Sequence, residues 1–256
     1  MPYPVLAQFS RQQMASLTGL PDDVLGYWMR EGLLVSLQPE TGKGYHRRFD
    51  FRQVHLAALL GELWGFGVKV ASLKSFAELV NRGIAFADDY YLKYDEIAVV
   101  IRIAYRLQAF RSRMLTWDSD PLIGRVDQLP SDELELIEQV LRDKNPENVR
   151  RKFVLHAAEG LLQRHESRAL AIYSDLVRED HLEKRGISGQ EHLDERSLYI
   201  WLDSEAKWHI VPPSLIGTLG PKIKSPRSAI VLSVSLIFRQ IWSPETDTEV
   251  ADKHDD

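Results

Sequence analysis

The chain has 256 residues, of which 44% are hydrophobic and 27% charged, enough to bury a sizeable core and to form two or more structural units. No apolar run is long enough to span a bilayer, and the N-terminus lacks the basic-then-apolar order of a secretion signal, so we expect a cytoplasmic location. The absence of cysteine excludes disulfides, thiolate metal sites and cysteine nucleophiles.

The net charge of −5 is unevenly distributed along the chain. Residues 1–83 hold nine Lys and Arg against seven Asp and Glu, a surplus of +2, which leaves −7 for the remainder. This polarity is expected when only the N-terminal part contacts a polyanion, although a surplus of two by itself is weak support for nucleic-acid binding.

Two short helices joined by a tight turn are predicted near the N-terminus. Ser10 and Gln13 have the spacing of a capping box, in which each side chain satisfies a backbone amide at the helix start. Thr18-Gly19-Leu20-Pro21 supplies a glycine for the turn. Behind it, apolar residues recur at helical spacing, namely Val24, Leu25, Trp28 and Met29.

A hairpin is predicted after the second helix, which ends at Glu31-Gly32. Leu33-Leu34-Val35 is typical of a short strand, residues 38–44 form a turn-rich loop, and Tyr45 to Phe49 would be the returning strand. We interpret this hairpin as a wing.

Two more helices are predicted behind the wing. Asp50 and Gln53 have the spacing of a second capping box, before a helix that carries Val54, Leu56, Leu59, Leu60 and Leu63 and stops at Gly65-Phe66-Gly67. The next helix carries Leu73, Phe76, Leu79 and Val80.

The middle of the chain is predicted to be helical. From Tyr94 to Met114, heptad spacing over two heptads suits a helix that either packs within one subunit or forms a dimer seam; its apolar positions are Val100, Ile103, Leu107, Phe110 and Met114. Further helices are predicted after Ser131 and from Asn145-Pro146, the latter with a break near Gly160 and an end near Arg185.

The amino-acid composition of the last part of the chain differs from that of the middle. Ser197–Leu202 and Lys207–Val211 are rich in aromatic and β-branched residues and predict a hairpin around a turn at 203–206. Residues 228–242 alternate apolar and polar positions, which predicts a strand with one buried face. The last fourteen residues contain six acids and predict a disordered tail.

These elements predict a mainly α fold with a small C-terminal antiparallel β element (α+β). We expect a winged helix-turn-helix domain at 8–83, a helical region at 84–186 that is a candidate for dimerisation, a small β-rich region at 187–242, and the acidic tail at 243–256.

Several N-terminal segments follow one known pattern in order and spacing. Phe9-Ser10, Met14-Ala15, Thr18-Gly19-Leu20-Pro21 and Leu25-Gly26-Tyr27-Trp28-Met29-Arg30-Glu31-Gly32-Leu33-Leu34 keep one register without a gap, and Gly44-Tyr45-His46-Arg47-Arg48-Phe49-Asp50 and Trp64-Gly65-Phe66-Gly67 follow. Together they resemble the winged helix-turn-helix domain of the MerR family of bacterial transcription regulators, over less than a third of the chain. The resemblance implies a two-fold dimer on a palindromic promoter site, with effector-dependent distortion of the DNA.

The resemblance also suggests which residues contact DNA. Residues 22–31 would enter the major groove, where Tyr27 and Arg30 share a helix face while Trp28 packs in the core. The wing would contact the backbone through Lys43, Tyr45, His46, Arg47 and Arg48, because guanidinium groups bind phosphate bidentately. Arg11 and Arg52, in the first turns of their helices, are either further phosphate contacts or simple surface charges.

Two departures from the family pattern bear on DNA binding. Gly26 stands where the pattern has an arginine. Asp22 and Asp23 place acids at the start of the second helix, where a carboxylate repels phosphate but suits a helix N-terminus and can accept a hydrogen bond from cytosine. We include both aspartates among the candidate DNA-binding residues.

Other classes of function find little support in the sequence. The eight histidines are dispersed without metal-ligand spacing, and no nucleophile, phosphate-loop or dinucleotide motif is present, so we expect no metal, cofactor or enzyme activity. Tyr199, Trp201 and Trp208 either line a ligand pocket or form sheet core. The lack of thiols also argues against a heavy-metal sensor.

The leading hypothesis is therefore a sequence-specific, dimeric DNA-binding transcription regulator, with an effector that the sequence does not identify. A rival hypothesis is a protein-interaction adaptor that kept the fold and lost DNA affinity, as Gly26, Asp22 and Asp23 suggest. A third is a small-molecule sensor or enzyme built on the C-terminal sheet.

Overall fold

A computed structural model describes residues 7–37, 47–112, 149–176, 197–203, 207–211 and 229–242. Eight helices and one three-stranded antiparallel sheet lie in these ranges, which confirms the predicted mainly α fold with a small C-terminal β element. The helices are α1 (Arg11–Thr18), α2 (Asp22–Arg30), α3 (Phe51–Gly65), α4 (Val70–Asp89), α5 (Tyr94–Ser112), α6 (Val149–Arg164), α7 (Ser167–Leu176) and α8 (Val234–Trp242). The strands are β1 (Ser197–Leu202), β2 (Trp208–Val211) and β3 (Ile230–Ser233).

The predicted helix, turn, helix is present as α1 and α2. The Ser10 hydroxyl accepts from the Gln13 amide at 3.2 Å, and the Gln13 side chain accepts from the Ser10 amide at 2.8 Å, so the capping box is confirmed. Gly19 ends α1 with a φ of 68°, a conformation that favours glycine. Met14, Leu25 and Trp28 are buried and join α1 and α2 to the core.

The capping box predicted at the start of α3 is only half formed. The Asp50 carboxylate accepts from the Gln53 amide at 3.1 Å. The Gln53 side chain does not return to Asp50; its Oε1 accepts from the Val35 amide at 2.9 Å, and its Nε2 donates to the side-chain Oδ1 of Asn81 at 2.8 Å. Gln53 is buried, so its amide group satisfies other buried polar groups instead of the helix end.

The strand predicted at 33–35 is wrong. Leu33 and Leu34 lie in bends and are buried, so these residues are apolar because they pack in the core and not because they pair in a sheet. The chain nevertheless returns as a hairpin would, because the Leu37 amide donates to the Arg48 carbonyl at 2.8 Å. The wing loop, with Lys43, Tyr45 and His46, lies outside the described residues.

α5 packs inside the chain. It lies against α6 and α7, with Val100 fully buried and with Ile103 and Leu107 partly buried on the same core. This part of the predicted seam therefore serves packing within one subunit. Met114 lies outside the described residues, as do the helix starts predicted after Ser131 and at Asn145-Pro146.

The predicted helix break near Gly160 is wrong. α6 continues through Gly160, which packs so closely on the Tyr90 hydroxyl that an added Cβ would overlap it. The break comes at His165-Glu166, where His165 has a φ of 55°, and α7 follows to Leu176. The glycine therefore serves a close contact and not a helix end.

The predicted hairpin is confirmed in β1 and β2. The strand order is β2-β1-β3, and Ile200 at its centre faces Ile210 and Ile230. One face of the sheet meets α4, where the Trp208 Nε1 donates to the Ser72 carbonyl at 3.1 Å and its ring contacts Phe76. Trp208 is therefore sheet core.

The long strand predicted at 228–242 is wrong beyond Ser233. β3 has four residues and α8 follows it directly, with Val234, Ile237, Phe238 and Ile241 buried. These positions recur at the three- and four-residue spacing of a helix, whereas Leu236, which an alternating strand would bury, is exposed. α8 packs on α3 and α1.

Two further sequence predictions concern the membrane and the C-terminal end. In the part of the chain that the structure describes, no helix is long and apolar enough to cross a membrane. The tail predicted at 243–256 lies outside that part.

Candidate nucleic-acid interface

A groove of about 530 Å³ opens between α1, α2 and the residues that follow the wing loop. We call it the arginine groove, because arginines from three separate segments line it. Its lining residues are Ser10, Arg11, Gln12, Asp22, Gly26, Met29, Arg30 and Arg47. The structure thus brings together four of the sequence-predicted DNA contacts, namely Arg11, Asp22, Arg30 and Arg47.

The outer face of α2 beside the arginine groove is exposed. Tyr27 and Arg30 are both solvent-accessible, whereas Trp28 is only 1% exposed. This is the division that the helical spacing predicts, with two side chains available to a ligand and one in the core.

An ion pair crosses the arginine groove. Arg11 Nε donates to Asp22 Oδ1 at 2.7 Å, and each side chain keeps 49% of its surface exposed. Asp22 therefore neutralises part of the positive charge, while solvent and ligands still reach the Arg11 guanidinium. Asp23 is exposed on the first turn of α2 and does not line the groove.

Gly26 provides the floor on which the arginines lie. A Cβ added at Gly26 would stand 3.1 Å from Nη1 of Arg11 and 3.8 Å from Nη1 of Arg30. The absent side chain therefore makes room for two guanidinium groups from neighbouring segments. Although Gly26 replaces the arginine of the family pattern, this surface still carries arginine head groups, which Arg11 and Arg30 supply.

The base of the wing, by which we mean Leu37 and residues 47–49, is held to the residue before the first helix. Phe9 and Phe49 exchange two backbone hydrogen bonds, of 2.8 and 2.9 Å. Phe49 is fully buried, Arg47 two residues before it is half-buried, and Arg48 between them is exposed. Since Ser10 and Arg11 follow Phe9 directly, this pairing sets the distance between two walls of the arginine groove.

Arg52 lies outside the arginine groove and is engaged elsewhere. Its Nε donates to Asp50 at 2.6 Å, and its terminal nitrogens donate to both oxygens of Asp88 at 2.6 and 3.0 Å. Burial by itself disfavours the charged form, but Asp50 and the hydrogen bond to Asp88 outweigh it and hold the pKa of Arg52 above its ordinary value. A DNA contact by Arg52 would have to compete with these pairs.

Sequence reasoning missed four of the lining residues as parts of a site. The sequence predicts Ser10 only as a helix cap and Gly26 only as a departure from the family pattern, and it indicates no contact for Gln12 or Met29. The position of Ser10 and Gln12 on either side of Arg11 is an available signal, since the first turn of a helix presents unpaired backbone amides that suit an anionic ligand.

The C-terminal aromatics and the histidines form no comparable site in the described residues. Trp201 stacks on His209 with ring centroids 5.1 Å apart, and His209 Nε2 lies 2.8 Å from Asp203. No group of three or more His, Asp and Glu side chains in the described ranges is placed to hold a metal ion.

Comparison with known proteins gives one match. Residues 9–80 match the family model described as MerR HTH family regulatory protein, a range that spans α1 to α3, the segment between α2 and α3, and the first half of α4. No curated protein and no solved structure matches the chain. The match confirms the family resemblance of the N-terminal part.

Proposed function

Because residues 9–80 are a MerR-type helix-turn-helix domain, the kind found in DNA-binding transcription regulators, we propose that this chain is a sequence-specific regulator of transcription. In this proposal α2 enters the major groove and the wing holds the DNA backbone. The observation that carries it is the convergence of Arg11, Arg30 and Arg47 on one groove.

The charge of the arginine groove suits a phosphate backbone. Three arginines against Asp22 leave a net charge of +2 (3 − 1) in a surface opening of about 530 Å³. Guanidinium groups form paired hydrogen bonds to phosphate oxygens, and an approaching phosphate would displace the Asp22 carboxylate from Arg11. The whole chain carries a net charge of −5, so the positive charge of the arginine groove is opposite in sign to that of the molecule and supports binding of a polyanion at this surface.

Two roles are divided between the exposed residues. Tyr27 and Arg30 on α2 would reach base edges, where a bidentate arginine on guanine contributes about 1–3 kcal/mol of discrimination. Arg47 and Arg48 would hold phosphates. Lys43, Tyr45 and His46 are assigned to phosphate contacts from the family resemblance alone. Asp22 lines the arginine groove, and Asp23 is exposed next to it in the first turn of α2.

We infer a homodimer on a two-fold operator from the family resemblance, together with an effector that is still to be identified. The described part of α5 packs within one chain, so the dimer contact would lie on other surfaces. Analytical ultracentrifugation of the DNA complex would show two protomers per site, and a single protomer on a full-affinity site would contradict the dimer.

The test of the function is binding of the purified full chain to the DNA upstream of its own gene, against scrambled DNA, by fluorescence anisotropy across a salt series. We expect selective binding with a log–log salt slope of about −0.9 per phosphate bound. The double variant Arg47→Glu and Arg48→Glu should weaken binding and reduce the magnitude of the slope by about one for each phosphate that the wing no longer binds.

The double variant Lys69→Glu and Lys74→Glu is the matched control, because it makes the same change of charge at two solvent-accessible cations of the same domain that do not line the arginine groove. Equal losses of affinity in both variants would mean a nonspecific charge effect. Selective binding that survives in the double variant would contradict the role of the wing.

The alternative function is a protein-interaction adaptor with this fold and no DNA affinity. The Arg11–Asp22 ion pair favours it, since it cancels charge where phosphate would bind. Absence of selective binding at low salt, both to upstream DNA and in a selection from random DNA, would favour the adaptor, and an affinity pull-down would then look for a protein partner.

A further inference from the structure

The last helix of the described chain is built into the N-terminal domain. Phe238 stacks on the fully buried His55 of α3, with ring centroids 3.8 Å apart and planes at 12°. Trp242 Nε1 donates to His55 Nε2 at 2.7 Å. An indole N–H can only donate, so His55 accepts at Nε2 and carries its ring proton on Nδ1.

Trp242 also contacts the residue that joins two walls of the arginine groove. The centroids of the Trp242 and Phe9 rings are 5.6 Å apart, and the ring planes make an angle of 51°. Phe9 is paired through two backbone hydrogen bonds with Phe49, which closes the wing base. Arg11 follows Phe9 by two residues, and Arg47 precedes Phe49 by two.

We propose that Trp242 is a positioning residue for DNA binding, and that α8 is a functional part of the DNA-binding unit although it lies far outside residues 9–80. The proposal rests on the proposed function. Through Phe9, Trp242 sets the spacing of Arg11 and Arg47 across the arginine groove. β3 runs into α8 without a break, so the C-terminal sheet is joined to the DNA-binding surface by one short helix.

Side-chain packing explains how the contact between Trp242 and Phe9 can affect the arginine groove. Phe9 is 9% exposed and belongs to the same core cluster as Phe49 and Phe238. Removing the indole would open a cavity next to Phe9, and neighbours relax only partly into such a space. Phosphate binding needs correctly placed donors, so a small shift of the Phe9–Phe49 pair is enough to weaken it.

The experiment compares Trp242→Ala with Trp201→Ala in the full chain. Trp201 is buried on the sheet and stacks on His209, so its removal tests a general loss of C-terminal stability. We expect Trp242→Ala to weaken selective DNA binding at least fivefold and to reduce the magnitude of the salt slope by about one per protomer. Trp201→Ala should change neither quantity once the folded fraction is taken into account.

A double mutant connects the effect to Arg47. In the Arg47→Ala background, the fold-change caused by Trp242→Ala should shrink to less than half of its value in the parent chain. Independent, multiplicative losses of affinity would overturn the proposal, and so would equal losses in the Trp242 and Trp201 variants. Should Trp242→Ala not fold, Trp242→Leu takes its place with the same expected losses, because it keeps an apolar side chain in the core and still removes the ring next to Phe9.

A readout without DNA separates this inference from the proposed function. Amide hydrogen exchange at Phe9 and Phe49, measured by NMR, should be at least tenfold faster in Trp242→Ala than in the parent, and unchanged in Trp201→Ala. Unchanged exchange in Trp242→Ala would overturn the positioning role. Failure of the parent chain to bind DNA would defeat the proposed function, and the exchange rates would still decide whether Trp242 holds the arginine groove.

Discussion

At the scale of single residues, the arginine groove shows how a glycine can take part in a charged surface. Gly26 contributes no charge, yet its missing Cβ leaves the space in which the Arg11 and Arg30 head groups lie. Asp22 holds one of them at 2.7 Å. The two departures from the family pattern therefore belong to one local arrangement, in which a glycine admits the arginines and an aspartate limits their charge.

Asp22→Asn is expected to strengthen DNA binding. The substitution removes the carboxylate that competes with phosphate for Arg11, and an exposed charge pair of this kind is worth about 0.2–1 kcal/mol, or up to roughly fivefold in affinity. Asp23→Asn is the matched control, since both aspartates lie in the first turn of α2 and both interact with the helix dipole. Anisotropy titrations would measure the difference. A loss of sequence selectivity in Asp22→Asn would instead indicate that Asp22 accepts a hydrogen bond from a base.

At the scale of elements, a buried amide network joins α3, α4 and the segment that leads into the wing. Gln53 of α3 accepts from the Val35 amide and donates to Asn81 of α4, whose own amide donates to the Leu33 carbonyl at 3.1 Å. Two side chains thus satisfy backbone groups that no strand partner reaches. The network replaces the strand pairing that the sequence suggested for residues 33–35.

Gln53→Leu should destabilise the protein by about 1–3 kcal/mol, because it keeps the side-chain volume but leaves the Val35 amide without this acceptor. Urea denaturation followed by circular dichroism would measure the loss of stability. Gln163→Leu provides the comparison, since Gln163 is exposed on α6 and its substitution should change stability by less than about 0.5 kcal/mol. Equal effects at both positions would show that the network contributes nothing beyond helix propensity.

At the scale of the whole molecule, α4 connects the helix-turn-helix domain with the helices that follow it in the described part of the chain. It begins within the matched residues, continues past them, and crosses α7. Its Gly83 allows close approach, because an added Cβ would overlap the Ala169 carbonyl and lie 2.6 Å from the Tyr173 Cβ. Ion pairs between Arg82 and Glu166, and between Arg164 and Asp89, flank the crossing.

Gly83→Ala is expected to lower stability, although alanine favours a helix over glycine by about 1 kcal/mol. Overpacking against backbone atoms costs about 1–3 kcal/mol, and the Ala169 carbonyl cannot move aside as a flexible side chain would. Gly65→Ala is the control, because nothing lies within 4 Å of a Cβ at that position. Thermal unfolding should show a lower midpoint for Gly83→Ala only; an unchanged or raised midpoint would mean that the two helices can separate without cost.

Much of the local structure could be predicted from the sequence. The Ser10 capping box, the turn at Gly19, the exposed Tyr27 beside the buried Trp28, and the β1–β2 hairpin all depend on residues close together in the chain. The cap, the turn and the division of the α2 side chains are set by a spacing of one to four residues, and the hairpin pairs residues at most about a dozen positions apart. The family resemblance has the same origin, since it rests on short motifs kept in one register.

What only the tertiary structure decided depends on partners distant in sequence. Arg52 looked like Arg11 in the sequence, but Asp88 from another helix engages it, whereas Arg11 lines the arginine groove. Residues 234–242 fit a strand as well as a helix, because their apolar positions satisfy both periods over so short a length. The helix forms where it can bury Phe238 and Trp242 against His55 and Phe9. Sequence alone thus determined the local elements of the helix-turn-helix domain, and long-range packing determined which of its charges meet and which distant helix packs on it.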